Sequence, residues 1–265
     1  MAVLVFSAIS GDQFLVWGWR IPFLLSIVMV AVGLYIRLGI LETPVFRRIV
    51  AEERVERAPA LEVIKRQPKQ VILAALARTA EQAPAYIYLA FVFAYGTQVL
   101  HQPRDFLLTA LITAGLFSFV TIPLAGHLSD RFGRKRIYLI GTVATGIFGF
   151  IYFAMLNTMI PGWIFLGIVL SFVPHDIMYG PQGALIAECF TPRLRYSGAS
   201  IGYQLASVTA GGPAPLIATA LFAAWRSGYV IAVYILACAV VTLISTAFMP
   251  DYTGRDISTE YDEGA

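Results

Sequence analysis

The sequence predicts an all-α polytopic membrane protein with about seven transmembrane helices. Hydrophobic residues make up 58% of the 265 residues and charged residues only 13%, whereas soluble domains carry about 25% charged residues. Apolar runs long enough to cross a bilayer, which takes about 20 helical residues, recur along the chain. Most Lys and Arg residues stand in the short segments between these runs, where such charges set membrane orientation.

The chain begins with a partial apolar run and one complete predicted transmembrane helix. Residues 1–16 are interpreted as the remnant of an earlier helix and an outside loop, because their apolar run is too short to cross a bilayer. Residues 17–41 are predicted to form the first span, entered through Trp17, Trp19 and Arg20, which are typical interface anchors. An outside N-terminus without a basic signal region leads to the expectation that upstream helices are missing.

Residues 42–69 differ in kind from the apolar runs around them. They contain seven Lys or Arg residues, five Glu residues and three prolines. We interpret them as a charged linker with room for a surface helix, because such stretches between hydrophobic segments typically form loops. The linker precedes a predicted bundle of six helices over residues 70–250, and residues 251–265 form a polar tail.

Breaks within the six predicted spans of the bundle indicate a cavity. Pro84, Pro174, Pro181 and the stretch 211–215 interrupt three of the spans. Proline removes a helical hydrogen bond and bends the helix, and irregular backbone at membrane depth is tolerated where it is buried or lines a cavity. The spans are predicted near residues 70–98, 106–125, 137–157, 162–189, 198–222 and 228–249.

The distribution of basic residues predicts the orientation. Fourteen Lys or Arg residues lie on the side of the linker and three, Arg20, Arg104 and Arg226, lie on the other. Because cytoplasmic loops carry the excess of basic residues, the linker, the segment 126–136 and the C-terminus are predicted to be cytoplasmic. The expected location is the plasma (inner) membrane.

The segment 126–136, Gly-His-Leu-Ser-Asp-Arg-Phe-Gly-Arg-Lys-Arg, resembles the signature loop of the major facilitator superfamily of transporters. A simple cluster of orientation charges is the alternative, although orientation requires neither glycines nor an acid. Such transporters have two six-helix halves, with the loop between helices two and three and again between helices eight and nine. Four predicted spans follow it here, so the resemblance makes it the second copy. The residues that carry the resemblance are Gly126, Asp130, Arg131, Gly133, Arg134 and Lys135.

Further stretches resemble the metabolite:proton symporter family, which includes carriers of shikimate, 2-oxoglutarate, citrate, and proline or glycine betaine. The similarity covers nearly the whole chain and corresponds to the C-terminal portion of such a transporter, from the end of helix five onward. The resemblance therefore implies one helix equivalent to helix six, followed by the six-helix C-terminal bundle. The matching stretches are Trp17 to Phe23, Glu42 to Phe46, Arg78 with Glu81, Tyr179 to Gln182, and Arg195 to Ser200.

Arg78 and Glu81 lie near the middle of the span predicted over residues 70–98. An ionisable side chain at that depth costs about 2.5–3.5 kcal/mol on insertion scales, and the i, i+3 spacing lets these two pair on one helix face. One interpretation is a buried ion pair that fixes packing. The other is functional, with Arg78 binding a substrate carboxylate through its planar fork and Glu81 exchanging a proton.

His175 and Asp176 follow Pro174 near the middle of another span. Histidine suits proton coupling because its ordinary pKa is about 6.5. Neighbouring helix positions point about 100° apart, so we expect one of the two to line the cavity while the other bonds a neighbouring helix. A packing or hinge role is the alternative. Gln182 is predicted to be a polar contact within the cavity.

The signature segment is predicted to act as a cytoplasmic gate. Asp130 is expected to face the positive N-terminal end of the helix that begins near Ser197. Arg131, Arg134 and Lys135 are expected to bond neighbouring helix ends near the surface. The two glycines of the segment, Gly126 and Gly133, are expected to allow a close turn.

Other classes of function find little support in the sequence. The chain has no Gly-x4-Gly-Lys-Ser/Thr loop for nucleotide binding and no His or Cys spacing typical of a metal site. Cys189 and Cys238 are interpreted as packing residues, and the net charge of +3 reflects loop residues rather than a nucleic-acid surface. We therefore expect no enzyme activity, no cofactor and no nucleic-acid partner.

The leading hypothesis is proton-coupled symport of a small organic acid or zwitterionic metabolite by alternating access. The proton gradient would drive transport, and a missing N-terminal six-helix half would complete the cavity. Two alternatives stay open: an inactive transporter fragment, and a non-transporting membrane partner or sensor derived from a transporter.

Overall fold

The computed structural model of the protein describes residues 13, 16–39 and 59–254. Within these residues all regular secondary structure is helical, which confirms the predicted all-α fold class. The chain divides into two compact units, Met1–Arg54 and Val55–Ala265.

In the described part of the first unit, the residues from Arg20 to Gly39 form an apolar helix, α1 (Arg20–Gly39). The residues that precede it form an interface anchor: the Trp17 indole donates to the Gln13 side-chain oxygen at 2.7 Å, and the Arg20 guanidinium lies 4.5 Å from the Trp19 ring centroid. Almost every described side chain of α1 is exposed within its unit. The stretch Phe23–Ile36 is apolar, as expected of a membrane-embedded helix.

The second unit is a bundle of helices, several of which are interrupted. Among the described residues, five stretches are long and apolar enough to cross a membrane: Arg104–Phe132, Arg134–Leu156, Pro161–Ala187, Arg195–Trp225 and Gly228–Phe248. The elements in order are α2 (Pro59–Arg66), α3 (Pro68–Ala77), α4 (Thr79–Tyr86), the π-helix π1 (Ile87–Phe91), α5 (Val92–Gln98), α6 (Arg104–Phe132), α7 (Arg134–Leu156), α8 (Pro161–Ala187), α9 (Arg195–Ala206), the π-helix π2 (Ser207–Gly211), α10 (Ala214–Trp225) and α11 (Gly228–Phe248).

The span predicted near residues 70–98 consists of four consecutive pieces, α3, α4, π1 and α5. The first break falls at Arg78, and π1 begins three residues after Pro84. A second π-helix, π2, stands before the Gly212–Pro213 turn of the stretch Arg195–Trp225. Because π-helical turns and prolines disturb the regular ladder of hydrogen bonds, these two stretches carry the irregular backbone of the bundle.

The helices alternate in direction, so their ends form two groups. At the basic end, defined here as the end that contains Gln67 and Gly133, Gln67 donates to Thr191 at 3.4 Å and Lys135 donates to the carbonyl of Ala247 at 2.9 Å. At the opposite end the Tyr95 hydroxyl donates to Asn157 at 3.2 Å.

Two apolar clusters fill the interior of the bundle. The one nearer the opposite end is rich in aromatic residues, and the Tyr88 and Tyr152 rings lie 4.8 Å apart. The other, nearer the basic end, contains Tyr138, Met178 and Phe190. Cys189 and Cys238 are free and buried, Cys238 in the first cluster and Cys189 in the second.

The signature segment has less loop than the sequence suggests. Helix α6 continues to Phe132 and α7 begins at Arg134, so Gly133, with φ +101°, is the single residue between them. Glycine is favoured there because this φ is strained for residues with a Cβ. Gly126 is not part of the turn: it lies inside α6, where its backbone nitrogen would be 2.7 Å from a Cβ at Gly180 of α8. The close approach of the two helices requires glycine at position 180, whereas a Cβ at Gly126 itself would lie 3.8 Å from the carbonyl oxygen of Gly180, an ordinary contact.

Most of the predicted linker, and the tail beyond residue 254, lie outside the described residues. The described part of the linker forms the short helix α2, in which Arg66 pairs with Glu62 at 2.7 Å. Val63 of α2 is buried against the bundle, while Leu61 and Ile64 are exposed. In the described start of the tail, Asp251 accepts the backbone N–H of Thr253 at 3.0 Å.

Candidate functional site

The candidate site is organised around the helix break at Arg78. This residue ends α3 and begins α4 with φ −86° and ψ 0°. The backbone groups that a break leaves without helical partners need other ones. Here the Tyr138 hydroxyl donates to the carbonyl of Ala77 at 2.8 Å, and the Ala80 N–H donates to the Thr242 hydroxyl at 2.8 Å. Two neighbouring helices, α7 and α11, therefore hold the break in place.

The guanidinium of Arg78 is buried and has several partners. It donates to Glu81 at 2.9 Å, to the side-chain oxygen of Gln182 at 3.2 Å and to the backbone carbonyl of Tyr203 at 2.9 Å. It also lies 3.7 Å from the centroid of the Tyr203 ring. Only 3% of Arg78 is exposed, so this cation is held entirely by side chains and backbone of α4, α8 and α9.

Glu81 is the acceptor at the centre of the site. One of its oxygens, Oε2, accepts from Arg78 at 2.9 Å, from Gln82 at 2.9 Å and from Gln182 at 3.3 Å. The other oxygen, Oε1, lies 3.4 Å from His175 Nε2. With 2% of its surface exposed, the carboxylate depends on these contacts in place of water.

His175 bridges two carboxylates. Its Nδ1 lies 3.1 Å from Asp176 Oδ1 and its Nε2 lies 3.4 Å from Glu81 Oε1. The ring stacks on Tyr179, with centroids 5.4 Å apart. Asp176 in turn accepts from the hydroxyl of Thr121 on α6. We expected one of the two to line the cavity and the other to bond a neighbouring helix. Asp176 does bond α6 through Thr121, and His175 is partly exposed, but the two side chains also contact each other and His175 reaches Glu81 as well.

The geometry of His175 has room for one proton more than a neutral ring carries. A neutral imidazole has one donor nitrogen and one acceptor nitrogen, and an acceptor nitrogen facing a carboxylate oxygen is repulsive. Both ring nitrogens of His175 face carboxylate oxygens, so a further proton on the ring would satisfy both contacts. With that proton, the group of Glu81, Asp176 and His175 would carry a net charge of −1, which Arg78 would balance.

The site lies far from both ends of the two helical stretches that carry it, 68–98 and 161–187. Arg78 is about 15 Å from Pro68 along α3, and Asp176 is about 22 Å from Pro161 along α8, at 1.5 Å per residue. Such distances correspond to the interior of a hydrocarbon core about 30 Å thick. The four charged or titratable residues that the sequence singled out in two separate stretches are thus brought together.

Gln182 is fully buried and ties the site together. Its side-chain oxygen accepts from Arg78, and its nitrogen lies 3.3 Å from Glu81 and 3.2 Å from the Tyr138 hydroxyl. On the exposed side of the site, Tyr179 stacks on His175 and is 45% exposed. Among the described residues no group of His, Cys, Asp or Glu is arranged to hold a metal ion.

The signature segment forms a second cluster at the basic end. Arg134 pairs with Asp130 at 2.9 Å and also with Glu188, which follows α8. Its backbone N–H donates to Thr253 at 3.1 Å. Lys135 donates to the carbonyls of Ala247 and Met249, where a cation is favoured by the C-terminal end of α11.

Asp130 and Arg131 are placed differently from their neighbours in this cluster. The side chain of Asp130 is 64% exposed and accepts two hydrogen bonds from Arg134 of the same segment. Its side chain is therefore connected to Arg134 and not to the start of α9, where the sequence led us to expect it. Arg131 is exposed, and its guanidinium lies 5.6 Å from the ring of Phe132. The link from α7 to α8 runs through Arg134 and Glu188.

We expect Glu188→Gln to destabilise the bundle more than Asp130→Asn. The exposed pair of Asp130 should contribute about 0–1 kcal/mol, whereas the largely buried hydrogen bond between Arg134 and Glu188 involves two charges and should contribute about 1.5–3 kcal/mol. Thermal unfolding of the detergent-solubilised chain would measure both variants. Equal losses of stability would show that the buried pair of Arg134 and Glu188 stabilises the bundle no more than the exposed pair of Arg134 and Asp130.

Several residues of the site were missed by reasoning from the sequence. Tyr138, Thr242, Tyr203 and Thr121 stand in four different spans, and a hydroxyl or aromatic side chain within a span is too common to be distinctive. Glu188 had a detectable signal, because it is an acid directly after an apolar span that ends on the same side as the basic segment. Its partner was decided by the packing of α7 against α8.

Comparison with known proteins gives a family match and several relatives. Residues 100–263 match the model of the Major Facilitator Superfamily. The shikimate transporter of Escherichia coli K12 is 37% identical over 94% of this chain and 58% of its own length. The inner membrane metabolite transport protein YhjE of the same organism is 31% identical over 89% of this chain and 55% of its own length.

A more distant relative is named for different substrates. The glycine betaine/proline/ectoine/pipecolic acid transporter OusA of Dickeya dadantii is 28% identical over 96% of this chain and 53% of its own length. The chain thus spans between half and three fifths of the length of these curated relatives. No solved structure matches the chain.

Proposed function

The chain belongs to the Major Facilitator Superfamily of membrane transporters, and from this premise we propose that it serves proton-coupled symport of a small organic acid or zwitterionic metabolite. Its relatives are named as transporters of shikimate and of betaine, proline and related compounds. Organic acids and zwitterions share a carboxylate, and this shared group supports the proposed substrate class.

The observation that carries the proposal is the buried group of Glu81, His175 and Asp176. Charged groups within a membrane span are costly and mark ion pathways and proton relays. His175 connects two acids through its two ring nitrogens, and imidazole can bind and release a proton near neutral pH. This arrangement can hold one proton and pass it between α8 and α4.

Transport would follow from alternating access. In secondary transporters a site near the midplane is exposed to one side and then to the other as two repeats rock against each other. A change of protonation can shift that equilibrium only if the two conformations bind the proton with different affinity. We propose that a further six-helix half supplies the other wall of the cavity, opposite the exposed faces of Tyr179 and Tyr86.

The basic end is proposed to be cytoplasmic and the membrane to be the plasma (inner) membrane. The described basic end holds more Lys and Arg than the opposite end, where Arg104 and Arg226 stand, and cytoplasmic loops carry such an excess. The signature segment at this end would then act as a cytoplasmic gate, with the link between Arg134 and Glu188 as its buried contact.

No cofactor and no catalytic reaction enter this proposal. The driving force would be the proton gradient itself. Coupling of substrate movement to a proton needs only ionisable side chains that can exchange one ionic partner for another. The bilayer, the metabolite and the proton are the proposed partners, and nucleic acid is not among them.

Uptake into proteoliposomes tests the proposed function. The chain would be reconstituted alone and, in a second preparation, fused from Trp17 onward behind the first five helices of the Escherichia coli shikimate transporter, because α1 stands in the place of helix six. Uptake of labelled shikimate and glycine betaine would be measured with and without a pH gradient. We expect gradient-stimulated uptake of at least one of the two by the fusion. Gradient-independent leakage only, or no uptake, would favour an inactive fragment or a non-transporting partner.

His175→Asn is expected to remove most of the stimulation by the pH gradient. The variant lacks the group that joins Glu81 to Asp176, and the loss of one charge-assisted hydrogen bond of about 1.5–3 kcal/mol corresponds to roughly tenfold or more. His101→Asn is the matched control, because His101 lies in an exposed turn with φ 53°, which asparagine tolerates well. Equal stimulation in the two variants would rule out His175 as part of the proton site.

A further inference from the structure

Arg78 and Glu81 form an unequal ion pair. Glu81 contacts the guanidinium through one oxygen, Oε2, while its other oxygen faces His175. A guanidinium binds a carboxylate most strongly through two parallel hydrogen bonds, and this pair uses one. Arg78 is therefore held by a weaker form of the interaction than it is able to make with a carboxylate that approaches freely.

The charge balance of the site restricts what can enter it. With the further proton on the ring, Glu81, Asp176 and His175 together carry −1 and Arg78 carries +1, so the buried group is neutral as a whole. A substrate carboxylate that entered alone would leave an uncompensated negative charge in a site of low dielectric, where such a charge is very costly. One proton entering with each carboxylate restores neutrality.

We propose that protonation of Glu81 converts Arg78 into the binding site for the substrate carboxylate, so that one proton accompanies each carboxylate. This inference rests on the proposed function and specifies its substrate-binding group and its coupling. Once Glu81 is neutral, Arg78 loses its charged partner, and the incoming carboxylate takes the place that Oε2 held. It follows from this exchange that a substrate anion binds only together with a proton.

The proton reaches Glu81 through His175. Oε1 of Glu81 lies 3.4 Å from Nε2 of His175, so the ring can donate its Nε2 proton to that oxygen and recover one proton from the aqueous cavity. One O–H bond forms on Glu81 and one proton is taken up from water, with no change in oxidation state. The groups that face Glu81 from the surrounding elements are Arg78 and Gln82 on its own span, and His175 and Gln182 on α8.

Access to Arg78 is controlled by the side chains around it. The ring of Tyr203 covers one face of the Arg78 guanidinium, with the ring centroid at 3.7 Å. The Nε–H of Arg78 donates to the side-chain oxygen of Gln182. The ring of His175 is partly exposed and lies against Tyr179, whose outer surface is open. A carboxylate would therefore approach past Tyr179 and His175, on the side where the proton enters.

The test is calorimetric titration in nanodiscs of the full-length fusion described above with shikimate, which is an anion at neutral pH. Titrations in two buffers of different ionisation enthalpy give the number of protons taken up for each molecule bound. We expect one proton for each carboxylate bound to the wild-type chain, and an affinity that falls about tenfold for each unit by which the pH is raised, because one proton is linked to binding. Binding without proton uptake would overturn the inference while leaving carboxylate binding itself established.

The variant Glu81→Gln separates the exchange from a general effect of pH. Glutamine resembles a protonated carboxyl in shape, so the variant should bind the same probe with no proton uptake and with an affinity that does not change with pH. Glu62→Gln, on the surface helix α2, is the matched control and should keep one proton per ligand. If Glu81→Gln binds with undiminished proton uptake, Glu81 is not the acceptor. If the wild-type fusion does not bind shikimate, the proposed function fails and the inference with it; if Glu81→Gln does not fold, the wild-type proton count decides.

Discussion

Arg78→Ala is expected to destabilise the bundle by about 3–5 kcal/mol and to abolish uptake of carboxylate substrates. The stability loss follows because the variant leaves the carboxylate of Glu81 buried without its cationic partner, which is the costly way to break a buried ion pair. Uptake is lost because the variant lacks the guanidinium that is proposed to bind the substrate carboxylate. Chemical unfolding in detergent and uptake by the fused transporter would measure the two effects.

A double variant separates the two effects of Arg78. In Arg78→Gln with Glu81→Gln both charges are removed together, and replacing both members of a buried pair is often close to neutral for stability. We therefore expect most of the lost stability to return while uptake stays absent. Recovery of uptake in the double variant would show that Arg78 serves only to neutralise Glu81.

Gly180→Ala is expected to have the next largest effect, through packing alone. A Cβ at this position would lie 2.7 Å from the backbone nitrogen of Gly126 and 2.8 Å from the carbonyl oxygen of Ile122. Both are backbone atoms of α6, so the helices α6 and α8 would have to move apart. Overpacking of this kind typically costs about 1–3 kcal/mol or more, measured as a loss of thermal stability.

Gly115→Ala is the matched control for Gly180→Ala. Gly115 also lies in a transmembrane helix, α6, but a Cβ there would meet no atom within 4 Å. Alanine is favoured over glycine in a helix interior by about 0.5–1 kcal/mol, so the control should be as stable as the wild type or slightly more stable. A loss of stability in the control as large as that in Gly180→Ala would show that the close approach of α6 and α8 is not the cause.

The positions of the spans were predictable from the sequence because the bilayer imposes a simple rule. A backbone that crosses hydrocarbon must satisfy its own hydrogen bonds, so long apolar runs become helices. The predicted spans therefore match helices α6 to α8, the stretch Arg195–Trp225 and α11. The turn between α6 and α7 was harder to predict, because the polar segment 126–136 looks like a loop although only Gly133 leaves the helix.

The residues of the site were predictable one by one, and their contacts were not. Arg78, Glu81, His175 and Asp176 stand out in the sequence because charge in an apolar run is costly. That His175 touches Glu81, or that Gln182 joins Arg78 to Tyr138, depends on how α8 packs against α4 and α7. Sequence separation of about 100 residues between these partners leaves no local pattern from which their contact could be read.

The sequence by itself determined that this protein is an all-α membrane protein of the transporter superfamily, and which charged residues lie within its spans. Composition and apolar run length suffice for this, because the bilayer acts on each segment separately. The tertiary structure alone decided which charges meet, that Arg78 is balanced by a group of two acids and one imidazole, and that Arg134 joins Glu188. These pairings depend on the relative rotation and depth of packed helices, which arise from many small contacts spread over several spans.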